Sequence, residues 1–176
     1  MPGFPISLAS PVEHQGPVPK KADGVIIGGG VIGVSAAYYL ARMGLRPVVL
    51  EKGRIAGEQS SRNWGWIRQQ GRDLAELPIM MEASRLWSEL AAEIGEDIGL
   101  TTCGLTFFSK SDQDTARHEA WLKEAVPMGG DSVLLSAAEV DALVPGMTHR
   151  YPAALHTASD MRAEPFVAVP ALARAA

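Results

Sequence analysis

The residues whose types and spacing point to chemistry are Gly28, Gly30, Gly33 and Glu51, and what they suit is the diphosphate and ribose of a nucleotide. They stand in Gly28-Gly29-Gly30-Val31-Ile32-Gly33, which follows the apolar run Val25-Ile26-Ile27, and Glu51 closes a second run, Val48-Val49-Leu50. Gly28 allows a tight strand-to-helix turn, Gly30 lets the backbone approach a pyrophosphate, and Gly33 lets the next helix lie close on a sheet. The unpaired N–H groups at the helix start, Val31 and Ile32 among them, then face the phosphates. Charge effects at a helix end are worth about 0.3–2 kcal/mol, so the turn positions a ligand that the rest of the site must hold. A carboxylate at position 51 accepts hydrogen bonds from ribose hydroxyls and repels a 2′-phosphate, which favours FAD or NAD over NADP.

Such residues are held in place by a βαβ unit. The sequence predicts a strand over residues 22–28 and a helix over 31–43, apolar almost all round and ended by Gly44 in a left-handed cap. A second strand over 46–51 carries the continuous apolar run of a parallel strand buried on both faces. A competing reading makes residues 24–41, uncharged and preceded by Lys20 and Lys21, a membrane segment. Three consecutive glycines argue against it, since each weakens a helix by about 1 kcal/mol relative to alanine, while a βα turn needs them. Residues 1–21, with five prolines and no hydrophobic periodicity, read as a flexible tail that lies over the surface or is disordered, and His14 within it is given no function.

After a polar loop over residues 52–58 comes Gln59-Ser60-Ser61-Arg62-Asn63-Trp64-Gly65-Trp66-Ile67-Arg68-Gln69-Gln70-Gly71-Arg72-Asp73, crowded with hydrogen-bond donors. The density suits a loop around a polyanionic, aromatic ligand, and equally a solvated loop whose two tryptophans plug the core. With the glycine motif and Glu51-Lys52, the run Ser61-Arg62-Asn63-Trp64-Gly65 resembles the N-terminal part of the FAD-dependent oxidoreductases of the D-amino acid oxidase-like superfamily. That group includes glycine and sarcosine oxidases, D-amino acid dehydrogenases and opine oxidase subunits. The resemblance implies that Gly28, Gly30, Val31, Ile32 and Gly33 line the pyrophosphate and that Glu51, beside Lys52, holds the adenosine ribose. It implies further that Ser60, Ser61, Arg62, Asn63 and Gly65 approach the pyrophosphate–flavin side of FAD. Residues 59–73 contain no His or Cys, so nothing supports a covalent flavin bond.

The expected fold class is α/β: an incomplete Rossmann-type βαβ FAD-binding domain followed by the start of an α+β substrate domain. Residues 22–98 are assigned to the first, 99–163 to the second, and 164–176 to a segment returning to the first. Met80, Ala83, Trp87, Leu90 and Ile94 recur at helical spacing and form one apolar face. A strand is expected over 104–108 and a helix over 112–126, capped by Ser111, with Ala116, Trp121, Leu122 and Ala125 buried and His118 solvated. Ser136-Ala137-Ala138-Glu139 is a capping box opening a short helix that Pro145-Gly146 ends. A strand follows over 153–156, and Glu164-Pro165 opens a last helix or turn.

Of 176 residues, 47% are hydrophobic and 20% charged, with a net charge of −4, which gives no reason to expect nucleic acid as a partner. The one cysteine, Cys103, excludes an intramolecular disulfide and reads as a small buried hydrophobe, and the default compartment is the cytoplasm. No spacing marks out a metal site, a Ser-His-Asp triad or any catalytic acid or base. Arg68 and Arg72 are candidates for a substrate carboxylate, with surface charge the favoured reading. By resemblance the substrate is a small amine or amino acid, a partner subunit is possible, and no membrane span is expected. Two rivals stay open: an NAD-dependent dehydrogenase, and a truncated, non-catalytic chain that binds nucleotide. The second is motivated by the further parallel strands that such a domain needs.

Overall fold

The computed structural model describes Ile6 and residues 10–176. In chain order the elements are β1 Gly24–Ile27, α1 Val31–Arg42, β2 Pro47–Leu50, a 3-10 turn Gln59–Ser61, β3 Trp66–Ile67, α2 Leu77–Ile94, β4 Thr101–Thr102 and β5 Leu105–Ser109. Then follow α3 Asp112–Ala125, β6 Val133–Ser136, α4 Ala137–Leu143, β7 Ala153–Thr157, β8 Met161–Arg162 and α5 Pro165–Ala175. The chain forms two compact units, one of Met1–Gly65, Leu90–Gly99 and Ala163–Ala176, the other of Trp66–Glu89 and Leu100–Arg162. Residues 66–89, grouped with the first domain on sequence, therefore pack with the second unit.

The first unit is built on the βαβ turn. β1 and β2 are parallel neighbours, paired from Gly24 with Pro47 to Ile27 with Leu50. One end is clamped by Asp23, whose carboxylate accepts from the Arg46 backbone N–H at 2.8 Å and from its guanidinium at 3.0 Å. The other is extended by the Gly28 N–H, which donates to the Leu50 carbonyl at 2.8 Å. α1 buries Val34, Ala37 and Tyr38, and α5 buries Ala168, Val169, Ala171 and Leu172. Each fully buried Val- or Leu-sized side chain contributes about 1.5–3 kcal/mol, which holds this layer together. The Tyr38 hydroxyl donates to Glu93 at 2.7 Å, and Arg42 pairs with the same carboxylate at 2.9 Å. Alternate residues of β1 face outward: Val25 and Ile27 are 62% and 89% exposed. The tail residues described, Ile6 and 10–21, have no regular secondary structure, and the rest of the expected tail, residues 1–5 and 7–9, lies outside the described residues.

The second unit holds two antiparallel sheets of order β5-β7-β6 and β3-β8-β4. Ala153, Ala154 and Leu155 of β7 are buried at the centre of the larger sheet. Asp160, itself buried, accepts backbone N–H bonds from Gln69 at 2.8 Å and Gln70 at 3.4 Å. Burial pushes its carboxyl pKa up, against the lowering effect of those two bonds. The expected face of α2 is on the covered side, and α4 carries the complete capping box, with the Ser136 side chain accepting from Glu139 N–H and the Glu139 carboxylate accepting from Ser136 N–H. Ser111 caps α3, accepting from the Asp114 N–H at 3.2 Å.

Five side chains depart from expectation. Cys103 is exposed, because the turn before β5 leaves it on the outside. Ala116 is exposed while His118 is half-buried: the inner face of α3 is turned by about one residue, and the imidazole Nδ1 lies 3.1 Å from the hydroxyl of buried Ser109. Arg68 and Arg72 are half-buried and not surface charges; the Arg68 guanidinium lies 5.9 Å from the Trp66 ring and 5.6 Å from the Phe107 ring, and burial lowers its pKa.

Burial also pushes the His118 pKa below its ordinary value, so the folded chain prefers the neutral ring. The unfolded chain takes up its proton near pH 6.5, so the His118 contribution to stability is complete above that pH and falls as pH drops toward the folded value. Denaturant midpoints should therefore decline between about pH 8 and about pH 5, and His118→Gln should flatten the part of the decline that this ring causes.

Candidate dinucleotide site

Every residue singled out around the glycine corner lies in the first unit. Gly28 has φ +105°, which only glycine adopts without strain, and it reverses the chain between β1 and α1. Gly30 is the N-cap of α1 and has no side chain to serve as a cap. Ser60 supplies one from a distance, its Oγ accepting the Val31 N–H at 2.8 Å. A Cβ on Gly30 would lie 3.0 Å from that Oγ, so the glycine makes room for the serine. A Cβ on Gly33 would lie 2.0 Å from the Gly28 carbonyl oxygen and 3.2 Å from Ile26, the close helix-on-sheet approach expected of the third glycine.

Glu51 is tied to the corner. One carboxylate oxygen accepts the Gly29 N–H at 2.7 Å, and the other accepts the Gly53 N–H at 2.8 Å. A carboxylate has about four lone-pair sites, so both oxygens keep capacity for ribose hydroxyls. Among the described residues, the N–H groups of Gly30, Ile32 and Gly33 donate to no protein acceptor. Three donors at a helix start, with a carboxylate at the end of the neighbouring strand, match the two ends of an adenosine diphosphate. The residues present therefore fit a dinucleotide cofactor.

The structure also adds residues that sequence reasoning passed over. Gly29 is buried, and a Cβ there would sit 2.6 Å from Ile55 and 3.1 Å from Glu51; the signal was the unbroken glycine triplet. Ala56 has φ +59° and is 1% exposed, held there by its N–H bond to the Gly29 carbonyl at 2.9 Å. Neither its strain nor this long-range bond leaves a mark in the sequence.

The polar loop is less concentrated on the corner than the glycines are. Ser61 is buried, its N–H donating to the Glu58 carbonyl at 3.3 Å. Lys52 and Arg62 both pair with the Glu58 carboxylate, at 3.4 Å and 3.2 Å. Asn63 donates to the Gln59 carbonyl at 3.0 Å and accepts the Gly65 N–H at 2.7 Å. Gly65 has φ +70°, and a Cβ there would meet the Ala163 carbonyl oxygen at 2.0 Å. Lys52, Arg62 and Asn63 are exposed, and so are Trp64 and Trp66, at 78% and 41%, which removes the reading of the tryptophans as core plugs.

The profile of the family described as FAD dependent oxidoreductase matches residues 23–176. The chain belongs to that family. It is 42% identical over 84 residues to the beta subunit of sarcosine oxidase from Arthrobacter sp, covering 46% of this chain and 21% of that one. It is 31% identical over 101 residues to an opine oxidase subunit of Rhizobium meliloti, covering 53% and 27%. Among solved structures, L-amino acid deaminase from Proteus myxofaciens superposes with a TM-score of 0.87 at 27% identity, covering 97% of this chain and 39% of that one. The chain thus spans about a fifth to two-fifths of the length of these family members. No helix among the described residues is long and apolar enough to cross a membrane, and no group of three or more His, Cys, Asp or Glu is placed to hold a metal.

Ser60→Ala tests the cap directly. It strips the Val31 N–H of its acceptor and should cost about 1 kcal/mol, read as a shift in the denaturant midpoint, with the fold kept.

Proposed function

We propose that this chain carries the cofactor-holding corner of an FAD-dependent oxidoreductase acting on a small amine or amino acid. The observation that carries the reading is the Glu51 carboxylate 2.7 Å from the Gly29 N–H, beside the three unpaired N–H groups at the start of α1. When bound, FAD supplies the acceptor for a hydride from the carbon that bears the amine. The part of the chain is to hold and orient: Gly30, Ile32 and Gly33 donate to the diphosphate, Glu51 accepts from the adenosine ribose, and Ser60 keeps the helix start in shape. Arg62 and Lys52 lie in reach of the same loop once an anion competes with Glu58 for them. The NAD rival shares the glycine corner and Glu51, and membership of the FAD family weighs against it.

The purified chain should take up FAD, show flavin absorption bands after desalting, and compete poorly for NAD. Equal affinity for the two would overturn the flavin reading. On its own the 176-residue chain is expected not to reduce flavin with an amine, because Val25 and Ile27 present an apolar sheet face that the described residues leave exposed. Amine-dependent bleaching of the flavin bands would refute that. Two relatives are named as subunits, which supports a partner chain as the source of the remaining surface.

A further inference from the structure

The tail that precedes β1 runs beside the far end of the dinucleotide site. Beyond Glu51 opens a cavity of about 460 Å³, one wall of which is the strand end and turn over residues 49–55. The facing wall is Val12, Glu13, His14 and Gln15. Two contacts tether this stretch within the first unit: Arg54 Nε donates to the Ser10 carbonyl at 2.5 Å, and Glu13 lies 3.8 Å from Arg174 on α5. His14 has φ +60°, and the Gly16 N–H closes a turn on its carbonyl at 3.0 Å, so the backbone bends at the cavity wall.

We propose that residues 12–15 form the outer wall of an adenosine pocket, so that the tail is a working part of the cofactor site. The inference rests on the dinucleotide reading and extends it to residues that neither the glycine motif nor the acidic position contains. Volume and chemistry agree. A cavity of this size lies within the range that small-molecule sites occupy, and a base needs apolar or aromatic surface on its faces. Val12 and the His14 ring supply it on the tail side, Leu50 and Ile55 on the other, and Glu51 stands where the ribose joins. The Glu13 carboxylate is drawn toward Arg174, which reduces its repulsion of a nucleotide.

The probes are ADP, which carries the adenosine and diphosphate alone, and FMN, which carries the flavin without adenosine. Calorimetry compares the intact chain with a variant lacking residues 2–16. ADP binding about tenfold weaker in the variant, with FMN binding unchanged, is the expected result. ADP binding equal in both proteins overturns the tail wall and leaves the dinucleotide reading standing. Absence of ADP binding in both overturns the two together. Should the shortened chain fail to fold, hydrogen exchange on the intact chain decides: ADP should slow exchange at residues 12–16, and unchanged exchange there refutes the inference.

Discussion

Gly33→Ala should all but abolish nucleotide binding. The added Cβ falls 2.0 Å from the Gly28 carbonyl oxygen, a backbone atom that cannot swing aside as a side-chain end would. Gly28 is itself fixed, since its N–H holds Leu50 and its φ of +105° makes the reversal from β1 into α1. Relief requires lifting α1 off the sheet, which separates Val34 and Ala37 from their packing partners and displaces the Ile32 and Gly33 N–H groups. We expect a loss of about 3 kcal/mol or more in denaturant unfolding, the upper range for overpacking, and FAD affinity reduced by about 100-fold or more. Gly44→Ala is the control. Its Cβ meets open space, but its φ of +80° strains alanine, so it should cost about 1 kcal/mol and leave FAD binding unchanged. Equal effects of the two substitutions would contradict this account of Gly33.

Glu51 is expected to give the second large effect. Glu51→Ala removes the acceptor of two backbone N–H groups, of which Gly29 is buried and Gly53 exposed. Water replaces the carboxylate at Gly53 and reaches Gly29 poorly, so the stability cost falls mainly on Gly29 and amounts to about 1–3 kcal/mol. Binding suffers twice, through the displaced corner and through the lost ribose acceptor. FAD and ADP affinity should fall about 100-fold in Glu51→Ala and about tenfold in Glu51→Gln, whose amide keeps one acceptor oxygen. FMN, which has a phosphate but no adenosine ribose, should lose only the share that comes from the displaced corner, less than ADP loses in the same protein. Calorimetry with the three ligands separates the outcomes, and an unchanged ADP affinity in Glu51→Ala would remove Glu51 from the site.

The glycine corner was legible in the sequence because its constraints are local. Gly28 and Gly33 are each required by a backbone conformation or an approach within a few residues, Gly30 falls in the same short motif although what it makes room for is the distant Ser60, and the strands and helix around them are written in contiguous apolar runs. The caps at Ser111 and Ser136 were legible for the same reason. What escaped reading depends on partners far along the chain. The pairing of β5 with β7 joins Leu105 to Thr157, and β6 carries no strand signal of its own, since Val133-Leu134-Leu135 is too short to declare its period. The charged neighbours Arg117 and Glu119 point to a solvated His118, while its environment is set by Ser109 on β5. An apolar neighbourhood in sequence points to a buried Cys103, while the turn at Gly104, with φ +66°, leaves it outside. The prolines and irregularity of the tail describe its local state and say nothing of the cavity beside it.

The exposure of Trp64, on the loop that carries Ser60 and Asn63, gives the protein an intrinsic optical reporter. An indole ring standing in water emits at long wavelength, and a flavin absorbs in that region. Occupation of the site should therefore dim the indole signal in proportion to saturation, with no label attached. Comparison with Trp64→Phe isolates its share from that of Trp66, Trp87 and Trp121, so the quenching curve follows cofactor loading in real time.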